Sequence, residues 1–136
     1  MAQRAKSFSY AVSLDRDAAA SSDRGGSRLL AEAAWTPEHL LLAALGRCTL
    51  TSLRYHARRE GVGTAGTAGA RGTVTKRDED GRYAFTELDV ELDVTFEPSP
   101  QDVRELLAKA ERDCFVGASL TAPPRYSWIV DGEEIR

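Results

Sequence analysis

The ten residues from Glu87 to Phe96 constrain the fold more than any other part of this chain. Leu88, Val90, Leu92, Val94 and Phe96 alternate with Glu87, Asp89, Glu91, Asp93 and Thr95. A period of two sends one set to each side of a pleated strand. The segment therefore reads as a β-strand with one dry face and one wet face. The dry face requires a second layer of structure against it. The row of acids reads as the solvated face and not as a cation site, because alternate residues of one strand stand in line and do not converge. Before it, Asp78-Glu79-Asp80-Gly81 reads as a turn, with Gly81 able to take a positive φ, and Thr73 to Arg77 as another strand.

The covering layer is also legible. Thr36-Pro37-Glu38 opens a helix: Thr36 suits the N-cap, Pro37 the first helical position, and Glu38 the positive end of the helix dipole. The run to Glu60 contains no proline, and Gly61 is a natural stop. Leu40 to Leu45 leaves almost no polar side, which predicts burial all round and cover from a partner subunit. The second half is amphipathic, with Arg54, Arg58 and Arg59 facing water. Ser99-Pro100-Gln101-Asp102 starts another helix, with Ser and Asp in a capping-box-like arrangement. Its apolar stripe is Val103, Leu106, Leu107 and Ala110, and Cys114 lies one turn further along. Tyr126, Trp128 and Val130 predict a last strand, with a turn at Asp131-Gly132.

The N-terminal third is less regular. Phe8 to Leu14 alternates as a first strand, Asp15 to Ser27 reads as a loop or loose hairpin, and Arg28 to Ala34 as a short second strand. Gly63, Gly66, Gly69 and Gly72 recur at every third place. A phosphate-binding loop precedes a helix, and this stretch follows one, so a flexible link or bare strand start is expected. The whole predicts an α+β fold, an antiparallel sheet packed on two long helices, as one domain over residues 1–136.

The length of 136 residues suits one domain with a substantial core. No twenty-residue apolar run is present, so no membrane span is expected. The start, Met-Ala-Gln-Arg-Ala-Lys-Ser-Phe, has no apolar h-region, which makes a cytoplasmic location the default expectation. A formal net charge of −3 gives no electrostatic footprint for nucleic acid.

Cys48 and Cys114 are the only two cysteines. That is too few for a disulfide framework or a Cys-only zinc site. They are either small core hydrophobes or a thiol redox pair. His39 and His56 add no metal site: His56 lies eight helical residues, about 12 Å, beyond Cys48. Both histidines are expected at the surface, and no metal or organic cofactor is expected.

The block T-P-E-H-L-L-L-A-A-L-G-R-C, Thr36 to Cys48, resembles the signature of the OsmC/Ohr family of thiol-dependent peroxidases, with the same gap between Glu38 and Cys48. A-E-R-D-C-F-V-G-A-S-L is similar to that family's segment carrying a second cysteine. Phe115 stands where proline often follows that cysteine, and Ser119 stands further on than the family serine.

The resemblance implies an interlocked homodimer, with Cys48 as the peroxidatic and Cys114 as the resolving cysteine. It implies organic hydroperoxides as substrates and a lipoyl-type dithiol or small thiol as reductant. It also implies an arginine from the loop after the first strand, held by Glu38, that activates Cys48. Arg16, in Asp15-Arg16-Asp17-Ala18, fills that place, with Ala18 where the family commonly has glycine; Arg24 and Arg28 are the alternatives. Such an arginine has a physical reason: burial in an apolar helix raises a cysteine's pKa, and only the thiolate attacks. Glu38 stands about 15 Å along the helix from Cys48, so it serves through an arginine or serves the partner's site. Two other readings stay open: a related fold with different thiol chemistry, or a module that binds a small hydrophobic ligand.

Overall fold

Residues 5–135 are described by a computed structural model, and they fall into two compact units that part at the start of the first long helix: residues 5–37 and 38–135. In the first unit, β1 (Val12–Leu14) and β2 (Ala20–Ser22) form an antiparallel hairpin in which Val12 faces Ser22. Asp15 organises its turn. Its Oδ1 accepts from the backbone N–H groups of Asp17 and Ala19 at 2.9 and 3.0 Å. Ala18 sits in the turn at φ 62°, a left-handed conformation that glycine takes more easily. This is the place where the OsmC/Ohr loop commonly carries glycine.

Two expectations need correction here. The first strand is shorter than Phe8 to Leu14, because its partner ends at Ser22, before a bend carrying Gly25 and Gly26 at φ 79° and 86°. Arg28 to Ala34 is not a strand. Only Leu29 pairs, through an isolated bridge to Ala20, and Arg28 turns to Asp15 in a 3.0 Å ion pair.

The second unit holds α1 (Pro37–Arg59), β3 (Gly63–Lys76), β4 (Tyr83–Glu97), α2 (Val103–Arg112), α3 (Phe115–Ala118), β5 (Arg125–Val130) and β6 (Glu133–Ile135). The strands form one sheet in the order β3-β4-β5-β6. β3 and β4 are antiparallel, as are β5 and β6, but β4 and β5 are parallel. The sheet is therefore mixed and not antiparallel throughout. The cause is the long connection through α2 and α3, since a crossover carrying helices returns the chain in the same direction. Nor are there two long helices: α1 has 23 residues and α2 only 10. β6 follows a tight turn at Asp131 and Gly132, φ 49° and 85°; its sequence, Glu-Glu-Ile, carries no periodic signal.

Leu88, Val90, Leu92, Val94 and Phe96 of β4 are buried, as their alternation dictates. They share one core with Leu45, Leu53 and Ala57 of α1, Leu106, Leu107 and Ala110 of α2, and Trp128 and Val130 of β5. The opposite side of the sheet carries exposed ion pairs, Arg125–Asp89 at 3.0 Å and Arg71–Glu91 at 3.1 Å. That matches a solvated acid row.

The glycine-rich segment is neither a link nor a bare start: it lies inside the continuous strand β3. At Gly66 and Gly72 the neighbouring strand occupies the space that a Cβ would need. A Cβ at Gly66 would lie 2.6 Å from Val94 Cγ1, and one at Gly72 would lie 2.8 Å from the Phe85 ring. Gly61 ends α1 at φ 72°, as read from the sequence. At the start of α2 the cap is Asp102 alone. Its carboxylate accepts from the Glu105 N–H at 3.0 Å, while Ser99 lies three residues further back, outside the cap.

Candidate thiol site

The core places the two cysteines together. Cys48 lies in the middle of α1, half-buried among its apolar neighbours. Cys114 ends the α2 stripe, is fully buried, and forms the N-cap of α3. A hydrogen bond between α1 and the end of α2 holds this arrangement. His56 Nε2 of α1 lies 2.7 Å from Asp113 Oδ2, and Arg112 grips the same carboxylate at 2.9 and 3.0 Å. Asp113 immediately precedes Cys114, so α1 fixes the segment that delivers the second thiol. Its carboxyl is held at about 2, first by the hydrogen bond from Arg112 and further by that from His56. His56 is thus no surface histidine; its side chain is only 13% exposed.

Both thiols are free, and they lie near enough in one cluster for each to influence the other. Burial pushes the Cys48 thiol above its ordinary range. The backbone N–H of Val116 opposes this, Cys114 adds to the rise, and the N–H of Phe115 opposes it again. The first turn of α3 therefore presents amide donors to Cys48. They stabilise the thiolate, as does any donor to an ionised group.

Cys114 has its own donors. Its Sγ accepts from the Gly117 N–H at 3.4 Å, and Thr49 Oγ1 lies 3.5 Å away. Thr49 also reaches the Leu45 carbonyl at 3.0 Å. The hydroxyl of Tyr126, from β5, lies with Cys114 Sγ beside Gly117, and its phenol feels both Cys114 and Thr49. Burial first, and then the neighbouring Cys114, pushes that phenol up to about 12. Nothing in the linear sequence marks Thr49, Gly117 or Tyr126 as part of a site. Thr49 adjoins Cys48, and Tyr126 shares an inward strand face with Trp128 and Val130, but only the fold brings them to one sulfur.

The remaining candidates lie apart from this pair or in the other unit. Glu38 is exposed in the first turn of α1. Because that helix is unbroken from Pro37 to Arg59, Glu38 stands about 15 Å along the axis from Cys48. Arg16 occupies the exposed β1–β2 turn, Arg24 lies 5.1 Å over the Tyr10 ring, and Arg28 is paired with Asp15. Among the described residues, no group of His, Cys, Asp and Glu is arranged to hold a metal ion, and no helix is long and apolar enough to cross a membrane.

Fold and site together define an α+β protein that brings two thiols from different helices into one core cluster. The family model for OsmC-like protein matches residues 30–128, and the chain belongs to that family. An OsmC-like protein of unknown function from Vibrio cholerae O1 biovar eltor superposes with a TM-score of 0.74 at 18% identity, covering 92% of this chain and 100% of that one. The organic hydroperoxide resistance protein OhrB of Bacillus subtilis superposes with a TM-score of 0.56 at 19% identity, covering 91% and 98%. A third, an organic hydroperoxide resistance protein OsmC from Legionella pneumophila, gives 0.56 at 18%, covering 94% and 98%. At these identities the likeness is one of fold. No curated protein matches the chain.

Proposed function

We propose that this protein reduces organic hydroperoxides with a thiol pair, Cys48 attacking and Cys114 resolving. The observation that carries this reading is the meeting of two cysteines 66 positions apart in one core cluster, near enough that Cys114 affects the Cys48 thiol, within an OsmC-like fold. The family's structural neighbours include proteins named for organic hydroperoxide resistance. The Cys48 thiolate attacks one peroxide oxygen; the O–O bond breaks, the alkoxide takes a proton and leaves as alcohol, and Cys48 becomes a sulfenic acid. The Cys114 thiolate then attacks the Cys48 sulfur, releasing water and forming a disulfide. A dithiol, lipoyl-type or small, exchanges with that disulfide and is itself oxidised. No cofactor enters the cycle, and a reducing compartment such as the cytosol suits it.

In this reading Arg16, held by Glu38, completes the site in a homodimer and opposes the effect of burial on Cys48. Arg suits the role because it stays charged and offers donors in a fixed plane, both to the thiolate and to the developing charge on oxygen. The apolar start of α1 fits such an assembly: Leu40 is 36% exposed, and Ala43 and Ala44 are open. One observation favours a different reading, an OsmC-like protein with other thiol chemistry or a small apolar ligand: burial raises the Cys48 thiol. Consumption of cumene hydroperoxide with dihydrolipoamide decides between them. The peroxidase reading requires steady turnover that is lost in Cys48→Ser.

A further inference from the structure

Polar groups are costly inside an apolar core unless their hydrogen bonds serve a purpose there. Around Cys114 the core contains the hydroxyls of Thr49 and Tyr126 where apolar side chains would pack at lower cost. Gly117 makes room for them. A Cβ at that position would lie 2.8 Å from the Tyr126 hydroxyl, 3.4 Å from Cys114 Sγ and 3.6 Å from Leu45 Cδ1. Gly117 has no positive φ to explain it, so its small size accounts for the space in which the tyrosine hydroxyl and the sulfur both pack against it.

We propose that Tyr126 and Thr49, admitted by Gly117, are the groups that carry the negative charge of the Cys114 sulfur when it attacks and when it leaves. The proposal deepens the peroxidase reading and rests on it for the physiological reaction. In resolution, the Cys114 sulfur attacks the Cys48 sulfur; an S–S bond forms, the S–O bond of the sulfenic acid breaks, and hydroxide leaves as water with one proton. In recovery, one thiolate of an external dithiol attacks the half-buried Cys48 sulfur, the S–S bond breaks, and the Cys114 thiolate departs. The second thiol of the reductant then releases itself as a cyclic disulfide and frees Cys48. In both halves the charge on Cys114 lies against the Gly117 N–H, Thr49 and Tyr126.

The two hydroxyls differ in what they can do. Thr49 has one proton and more than one acceptor, since Leu45 O at 3.0 Å competes with Cys114 Sγ at 3.5 Å. While Cys114 is a thiol, the Thr49 proton is best placed on the carbonyl. Once the sulfur is charged, a rotation about one bond turns it to the sulfur. Tyr126 keeps its proton across the physiological range, because its phenol is pushed up to about 12, so it remains a donor in both steps.

The test uses Tyr126→Phe and Thr49→Val, which keep volume, and Gly117→Ala, which forces the hydroxyl away. Diamide forms the Cys48–Cys114 disulfide without peroxide, and dithiothreitol reduction of that disulfide is followed by mass spectrometry. Tyr126→Phe is expected to slow reduction about tenfold, with Gly117→Ala similar, as loss of one hydrogen bond to a charged group implies. In a parallel arm with cumene hydroperoxide, the Cys48 sulfenic acid trapped by dimedone should live about tenfold longer in Tyr126→Phe. Its rate of formation should stay unchanged. A purely structural tyrosine would alter thermal stability without producing this division between steps. Reduction and sulfenate lifetime at wild-type rates in all three variants would overturn the proposal, as would a wild type that forms no disulfide with diamide. A wild type that forms the disulfide with diamide but ignores hydroperoxide overturns the peroxidase reading instead, and the reduction arm still decides the role of Tyr126.

Discussion

At Cys48 two opposing influences meet on one sulfur: burial disfavours the thiolate, and the amides of Val116 and Phe115 favour it. Burial is the larger, so within one chain the thiol titrates above its ordinary range. In the proposed dimer Arg16 reverses that. On a Cys114→Ser background, Arg16→Ala is expected to move the pH dependence of Cys48 alkylation upward by about one unit, equivalent to about 1.4 kcal/mol of thiolate stabilisation. Arg16→Lys should restore little of it, because a point charge lacks the planar contacts. Glu38→Gln should show a weaker form of the same defect. Arg24, which stacks on Tyr10 within its own unit, is the control and should be nearly silent. A shift with Arg24→Ala and none with Arg16→Ala would reassign the arginine.

At the scale of elements, the position of Cys114 depends on how α2 ends. Asp113 is held at about 2 by Arg112 and His56, so its carboxylate stabilises the fold above the unfolded value of 3.8 and ceases to as pH falls toward 2. Asp113→Asn should therefore be less stable than wild type near pH 5. The gap in urea midpoint should narrow as pH falls toward about 2.5. A gap that widens toward acid would contradict the assignment. At the other end of α2, Asp102→Ala should cost about 1 kcal/mol by removing the cap, measured in the same titrations. The elements were unevenly legible in the sequence. β4 and α1 declare themselves, because period two and an uninterrupted run between Pro37 and Gly61 are local signals. β3 does not, because Gly66 and Gly72 are set by contacts with Val94 and Phe85 of the neighbouring strand. The parallel pairing of β4 with β5, and the gathering of Thr49, Gly117 and Tyr126 at one sulfur, are properties of the path between elements. No local pattern encodes them.

At the scale of the whole molecule, apolar surface calls for cover. Phe8, Tyr10, Val12, Leu14, Leu29, Leu30 and Trp35 of the first unit are each more than half exposed. Leu40 on α1 and its half-buried neighbours Leu41 and Leu42 add to them. A monomer in water rarely exposes so many large apolar side chains in one short stretch. The proposed homodimer would bury them, so sedimentation equilibrium at low micromolar concentration is expected to show dimer and no monomer. A stable, soluble, folded monomer would contradict that assembly. It would also leave Arg16 and Glu38 without the subunit they are proposed to serve.

The claim on which the rest depends is that Cys48 and Cys114 act as one redox pair on hydroperoxides. The most direct measurement is mass spectrometry of the intact protein after one equivalent of cumene hydroperoxide. Wild type should lose two mass units as the Cys48–Cys114 disulfide forms, and dihydrolipoamide should restore the original mass. Cys114→Ser should gain one oxygen at Cys48, and Cys48→Ser should remain unchanged. A wild type that keeps both thiols while the hydroperoxide survives would contradict the account.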